Sequence, residues 1–151
     1  MDQVREYDNN TSNKVLLWIG SNNIVPNSGT YQRQYFMDRI MGIIMNIVSG
    51  GKKVIVMGYP TRFFKINNFH DWTKNKDCKR EARALSTRLM KWARNLTMVE
   101  FIKLPDSLYA FDYNVRRTEM PNRYYTIDGT HLTRDGYRLV AQKIYEVLRN
   151  M

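Results

Sequence analysis

At 151 residues, with 43% apolar and 13% aromatic content, the chain suits one compact domain with its own core and excludes a disordered polypeptide. No apolar run approaches the roughly 20 residues that span a bilayer, and a single cysteine, Cys78, excludes an internal disulfide and a cysteine-rich metal site. The formal charge of +10, from 24 Lys and Arg against 14 Asp and Glu, favours an acidic partner such as nucleic acid, phosphate or an anionic membrane surface; the plainer alternative is a basic surface kept for solubility.

Residues 1–13 are polar and read as a lead-in; the run Met1-Asp2-Gln3-Val4-Arg5-Glu6 is charged and lacks a signal-peptide core, so a cytoplasmic or nuclear setting is expected. Residues 14–151 are expected to form a single α/β domain. Residues 14–19, with Val15-Leu16-Leu17-Trp18-Ile19, read as a buried strand, and the segment from Asn23 to Thr30 with Pro26 and Gly29 reads as a loop. A helix is predicted over 31–48, with Tyr35, Phe36, Ile40, Ile43, Ile44, Ile47 and Val48 apolar around more than half its circumference; Ser49-Gly50-Gly51 ends it. Lys53 to Met57 is the second strand, closed by Gly58-Tyr59-Pro60-Thr61, and a polar, aromatic loop runs on to about residue 77. The clearest amphipathic helix is predicted over 79–94. Ala82, Leu85, Leu89 and Trp92 lie on one face, and Arg80, Arg83, Lys91 and Arg94 on the other. Met98 to Leu104 is the third strand. After a long arginine- and tyrosine-bearing loop, a last helix over about 134–149 is predicted to bury Tyr137, Val140, Ala141, Ile144 and Leu148.

Strands alternating with helices imply right-handed crossovers and a short parallel sheet, hence a three-layer α/β/α fold. In such sheets, chemistry collects at the carboxyl ends of the strands. Asn22, the stretch from Tyr59 to Arg62, and the loop leading to Asp128 and His131 all belong at that edge. Asp128-Gly129-Thr130-His131 places a carboxylate three residues before one of only two histidines, a spacing that lets the aspartate orient an imidazole for general-base work. The plainer reading of the same residues is a turn that caps the last helix. His70 reads as a surface-loop histidine. Two histidines far apart without convergent carboxylates give no metal site, and no cofactor is implied. Cys78, although surrounded by lysines, reads as a bystander thiol.

Gly20-Ser21-Asn22-Asn23 after a strand, together with Asp128-Gly129-Thr130-His131-Leu132 before a helix, resembles two blocks of the SGNH (GDSL-type) hydrolases, a family of esterases and acyl hydrolases. The likeness extends over roughly residues 14–149. It implies a flavodoxin-like sheet, His131 as base, Asp128 as its orienter and Asn22 as the oxyanion-hole amide. Asn23 stands where the family has Asp. The family begins with a strand ending in Gly-Asp-Ser, then a helix and a second strand. Only 13 residues precede the first strand here, so the chain is expected to be shortened on its amino-terminal side, without the nucleophile block. Ser21 is one candidate replacement, although it stands directly after the glycine where Gly-x-Ser would place the serine two after. Ser107, in Pro105-Asp106-Ser107-Leu108, is the other, but no helix follows it and its strand should be an edge.

Residues 74–94 hold eight cations, Lys74, Lys76, Lys79, Arg80, Arg83, Arg88, Lys91 and Arg94, against Asp77 and Glu81. A solvated helix face usually mixes signs more evenly, whereas phosphate-backbone binding uses a concentrated stripe. Arg62, Arg116, Arg117 and Arg123 near aromatic residues could add base stacking. Three functions therefore stand open: an ester hydrolase whose serine comes from Ser21 or from another segment or chain; a non-catalytic relative binding RNA or another polyanion; and a structural subunit. The exposed edges of a three-stranded sheet favour self-association or completion by a second chain.

Overall fold

The computed structural model describes residues 13–18, 30–111 and 115–150. Among the described residues, three parallel strands form the sheet: β1 (Lys14–Leu17), β2 (Lys53–Met57) and β5 (Val99–Ile102), in the order β1-β2-β5. The register aligns Val15 with Val54 and Val99, and Leu17 with Val56 and Phe101. The central strand β2 is buried on both faces, as its unbroken Val-Ile-Val run requires. Strand β5 lies at the sheet edge, as expected, and is shorter than the predicted 98–104. Strand β1 stops at Leu17, Trp18 is described outside it, and Ile19 lies outside the described residues.

Helix α1 (Thr30–Ser49) packs on β2, burying Phe36, Met37, Ile40, Ile44 and Ile47. Tyr35, expected inside, is exposed, and its hydroxyl accepts from Arg39 at 3.1 Å. Gly51, at φ +85°, and the amides of Gly50 and Gly51, bonded to Ile47 and Val48 carbonyls, close the helix at the Gly-Gly pair.

Helix α2 (Trp72–Ala93) packs on β5 and against α1. It begins seven residues before the predicted start. The Asp71 carboxylate caps it by accepting the Lys74 amide at 3.1 Å. Its first turns bury Asn75 and Cys78, small residues that leave no large-apolar signature to read. Within the predicted loop that follows Thr61 to about residue 77, β3 (Lys65–Ile66) and β4 (Phe69–His70) form a hairpin turned at Asn67, whose φ is +53°. His70 is therefore buried, not on a surface loop, and its Nε2 lies 3.0 Å from the Glu119 carbonyl.

Helix α3 (Arg134–Arg149) packs against β5. It buries Val140 and half-buries Ile144, but Tyr137, Ala141 and Leu148 are exposed, contrary to expectation. The exposed side of α3 has the same helical spacing as the buried one, so periodicity alone picked out an apolar stripe that the three strands do not cover. Leu16, on the edge strand β1, is likewise 48% exposed. Among the described residues, no helix is long and apolar enough to cross a membrane.

Candidate active site

The residues from Tyr124 to Thr133 form a tight loop that delivers His131. An antiparallel bridge pairs Tyr125 with Leu132 at its base, and the Thr126 amide bonds the His131 carbonyl at 2.9 Å. Gly129 turns the tip at φ +73°, and its carbonyl accepts the Phe63 amide at 2.9 Å. The loop is thereby tied to the segment leaving β2. Thr133 then caps α3, accepting the Gly136 amide at 3.2 Å, while its own hydroxyl donates to the Arg123 carbonyl at 2.7 Å.

Inside this frame, Asp128 and His131 come together. Asp128 Oδ2 lies 2.5 Å from His131 Nδ1. A carboxylate only accepts, so Nδ1 carries a proton, and in the neutral ring Nε2 presents its lone pair. Asp128 Oδ1 takes the Thr126 hydroxyl at 2.5 Å and the amides of Thr130 and His131 at 2.9 and 3.0 Å. The Thr126 hydroxyl, then the His131 ring and the two amides, hold the Asp128 carboxyl well below the usual carboxylate range. Both side chains are open to solvent, His131 at 72% and Asp128 at 49%. The arrangement is a charge-stabilised imidazole at an accessible edge, chemically able to accept and return a proton.

The floor is built by the segment leaving β2. The Gly58 amide extends the ladder to the Ile102 carbonyl at 2.9 Å, and the Tyr59 amide bonds Ser86 Oγ at 2.8 Å. The Tyr109 hydroxyl donates to the Tyr59 carbonyl. Burial pushes the Tyr109 phenol up to about 12 and drives those of Tyr59 and Tyr125 well above their ordinary range, so none of the three is a proton shuttle near neutrality. Phe63 stacks edge-on against Tyr125 at 4.8 Å between centroids, which fixes the underside of the His131 loop. Cys78 is fully buried, and burial raises its thiol pKa despite the nearby Thr61 and Arg62; it is a core residue.

Asn22 and Ser21 lie outside the described residues. Ser107 is exposed in a 3-10 turn, Asp106–Tyr109, between β5 and the loop that follows it. Arg80, Arg83, Lys91 and Arg94 all ride on α2 or its cap, but Arg83 is turned toward Asp106, at 3.2 Å, and over the Tyr109 ring. Arg62 lies over Phe64. Arg116 and Arg117 sit against the hairpin, Arg117 donating to the Asn67 carbonyl at 3.3 Å. Among the described residues, no cluster of His, Cys, Asp and Glu could hold a metal ion. Sequence reasoning missed Thr126, whose position two residues before Asp128 is the signal of a side chain bonding within its own turn.

Several solved structures share this architecture. A Streptococcus pneumonia protein assigned provisionally as platelet activating factor superimposes with a TM-score of 0.65 at 16% identity, over 92% of this chain and 61% of its own. A Bacteroides fragilis NCTC 9343 protein assigned provisionally as an acylhydrolase gives 0.68 at 20% identity, over 97% and 68%. A GDSL-like lipase from Bacteroides thetaiotaomicron VPI-5482 gives 0.66 at 20% identity, over 97% and 69%. The fold is that of the SGNH/GDSL-type hydrolases. This chain spans between about three-fifths and seven-tenths of the length of these structures. No family profile and no curated protein matches the sequence.

Proposed function

We propose that this chain carries the general-base half of an acyl-ester hydrolase site. The observation that supports it is the His131–Asp128 pair, 2.5 Å apart, solvent-facing and held by a loop tied to the exit of β2. In this reading, His131 Nε2 takes the proton from an attacking serine hydroxyl and returns it to the leaving alcohol. Asp128 keeps the ring in the Nδ1–H tautomer and stabilises the imidazolium that forms. Asn22 donates its amide to the tetrahedral oxyanion, and the serine comes from another segment or chain or from Ser21 on this chain. The names of the lipase and acylhydrolase neighbours support an acyl substrate. No metal or cofactor takes part in these steps.

The test is a burst assay with a short-chain p-nitrophenyl ester on the chain and on its His131→Ala and Ser21→Ala variants. Turnover lost in both supports the reading with the nucleophile on this chain. Turnover lost in His131→Ala alone supports the base and removes Ser21. A chain no faster than His131→Ala overturns the reading for this polypeptide.

A further inference from the structure

A groove along α2 alternates cations with aromatic faces. It is an open depression of about 490 Å³ lined by Trp72, Lys76, Lys79, Arg80, Arg83 and Phe111. Lys76 Nζ stands 5.1 Å from the Trp72 ring centre, Lys79 Nζ 5.8 Å from that of Phe111, and the Arg83 guanidinium 4.6 Å from that of Tyr109. Trp72 is 45% exposed and Phe111 half-buried. Through Arg83 the groove runs into a second pocket of about 140 Å³ between α2 and β5, with Met90, Phe101 and Leu104 among its apolar lining and Thr87 and Lys103 among its polar lining. Among the described residues, the carboxylates paired with the groove's arginines are Asp77, 3.5 Å from Arg80, and Asp106, 3.2 Å from Arg83. The two lysines lie instead over ring faces.

We propose that this groove binds single-stranded nucleic acid, with bases stacked on Trp72 and Phe111 and phosphates held by Lys76, Lys79 and Arg80. The inference is independent of the hydrolase reading. Its physical basis is exchange. A phosphate draws each lysine off its ring, and a base takes the vacated face, a stacking contact worth more than the exposed cation–ring contact it displaces. Charge complementarity comes from the concentration of cations in this part of a chain with formal charge +10. From Trp72 to Met90 the helix runs ~27 Å, room for a short single strand at the low end of known site sizes. A duplex presents its bases edge-on inside its grooves and offers no face to Trp72. An acidic peptide would use the lysines and leave the rings idle.

The test is fluorescence anisotropy of a labelled 12-nucleotide oligouridylate against salt. The parent is expected to bind with affinity falling log-linearly in salt. Lys76→Gln with Lys79→Gln lowers the slope by about 1.4, since each phosphate neutralised on a single strand contributes about 0.7. Trp72→Ala, and separately Phe111→Leu, which keeps an apolar group against Phe63, weaken binding about tenfold with the slope unchanged. Lys91→Gln with Arg94→Gln, off the groove, leaves binding within twofold. Thermal melts of each variant confirm that it is folded. Absent binding by the parent at 50 mM salt overturns the proposal. So do aromatic variants that bind like the parent, a Lys91/Arg94 pair that matters as much as Lys76/Lys79, or poly-glutamate displacing the oligonucleotide at equal charge.

Discussion

Asp128 grips His131 at two points: Oδ2 lies 2.5 Å from the ring Nδ1, and Oδ1 accepts the backbone amide of the same residue at 3.0 Å. Ring and backbone are thus fixed by one carboxylate, and the ring's orientation depends on its charge and on its being acceptor-only. Asp128→Asn keeps the size and one carbonyl oxygen. To keep the two backbone amides, that oxygen must stay where Oδ1 is, which turns the NH2 group toward Nδ1–H. Two donors then face each other, and the ring is driven to the wrong tautomer. If the hydrolase reading holds, the ester rate falls by about 10²–10⁴ with little change in KM. A rate within threefold of the parent would remove Asp128 from the mechanism.

The same carboxyl gives a pH signature. Its folded pKa is depressed, first by the Thr126 hydroxyl and then by the His131 ring and the loop amides. A depressed acid contributes stability that is present above its unfolded value, about 4, and lost as pH falls through the lower folded one. Subtracting Asp128→Asn from the parent, the stability difference should not shrink from pH 8 down to about 4 and should shrink below that. Urea denaturation at pH 7, 5, 4 and 3 measures it. A difference that shrinks between pH 7 and 5 would contradict the assignment. Because the pair is open to solvent, raising the salt should diminish the effect.

The loop that presents the pair depends on two glycines for different reasons. At Gly129 a Cβ would stand 2.4 Å from the Phe63 carbonyl oxygen, and φ is +73°, so any side chain meets both a backbone clash and left-handed strain. At Gly136 φ is ordinary, but a Cβ would lie 2.4 Å from the Tyr124 carbonyl oxygen. Each change to alanine should cost about 1–3 kcal/mol. Gly129→Ala should also break the Phe63–Gly129 link and loosen the loop that carries His131, whereas Gly136→Ala should shift α3 and leave that link intact. Hydrogen exchange at the Phe63 amide separates the two. Faster exchange in both variants alike would argue against the separate roles.

Much of this was legible because the sheet is simple. Val54-Ile55-Val56 is a short β-branched run closed by Gly58, and Val99-Glu100-Phe101-Ile102 is a short stretch rich in β-branched and aromatic residues; that length and composition favour strand over helix. The Asp128–His131 pair was legible because a contact three residues apart needs no knowledge of the fold. The start of α2 was hidden because its first buried residues are Asn75 and Cys78 and its signal was one capping aspartate. The hairpin at Asn67 was hidden because its strands are two residues long. The burial of α3 was misread because Tyr137, Ala141 and Leu148 keep helical spacing while facing away from the three strands; periodicity reports that a face is apolar, not which neighbour covers it. The cation–aromatic groove was invisible because Trp72 and Phe111 are 39 positions apart and meet only through packing.

One long-range ion pair ties the two helices of the layer together and carries its own prediction. Arg33 Nε donates to both oxygens of Glu81, at 2.7 and 2.9 Å, joining α1 to α2. Glu81 is buried, while the Arg33 side chain is 42% exposed. Removing the two partners should therefore not cost the same. Arg33→Met leaves a carboxylate buried without its cation; full burial would make this a loss of 3–5 kcal/mol, and the exposed arginine end lowers the expectation to about 2. Glu81→Met removes the buried charge, fills the volume with an apolar chain and lets the freed guanidinium turn to water, so its cost should be below about 1 kcal/mol. In the double variant neither charge remains, and stability should return to near that of Glu81→Met, giving a coupling of more than about 1 kcal/mol in the cycle. Urea midpoints of the four proteins decide it. A Glu81→Met cost equal to or above that of Arg33→Met would mean that the carboxylate also holds groups other than Arg33, and the pair would not be the joint between α1 and α2.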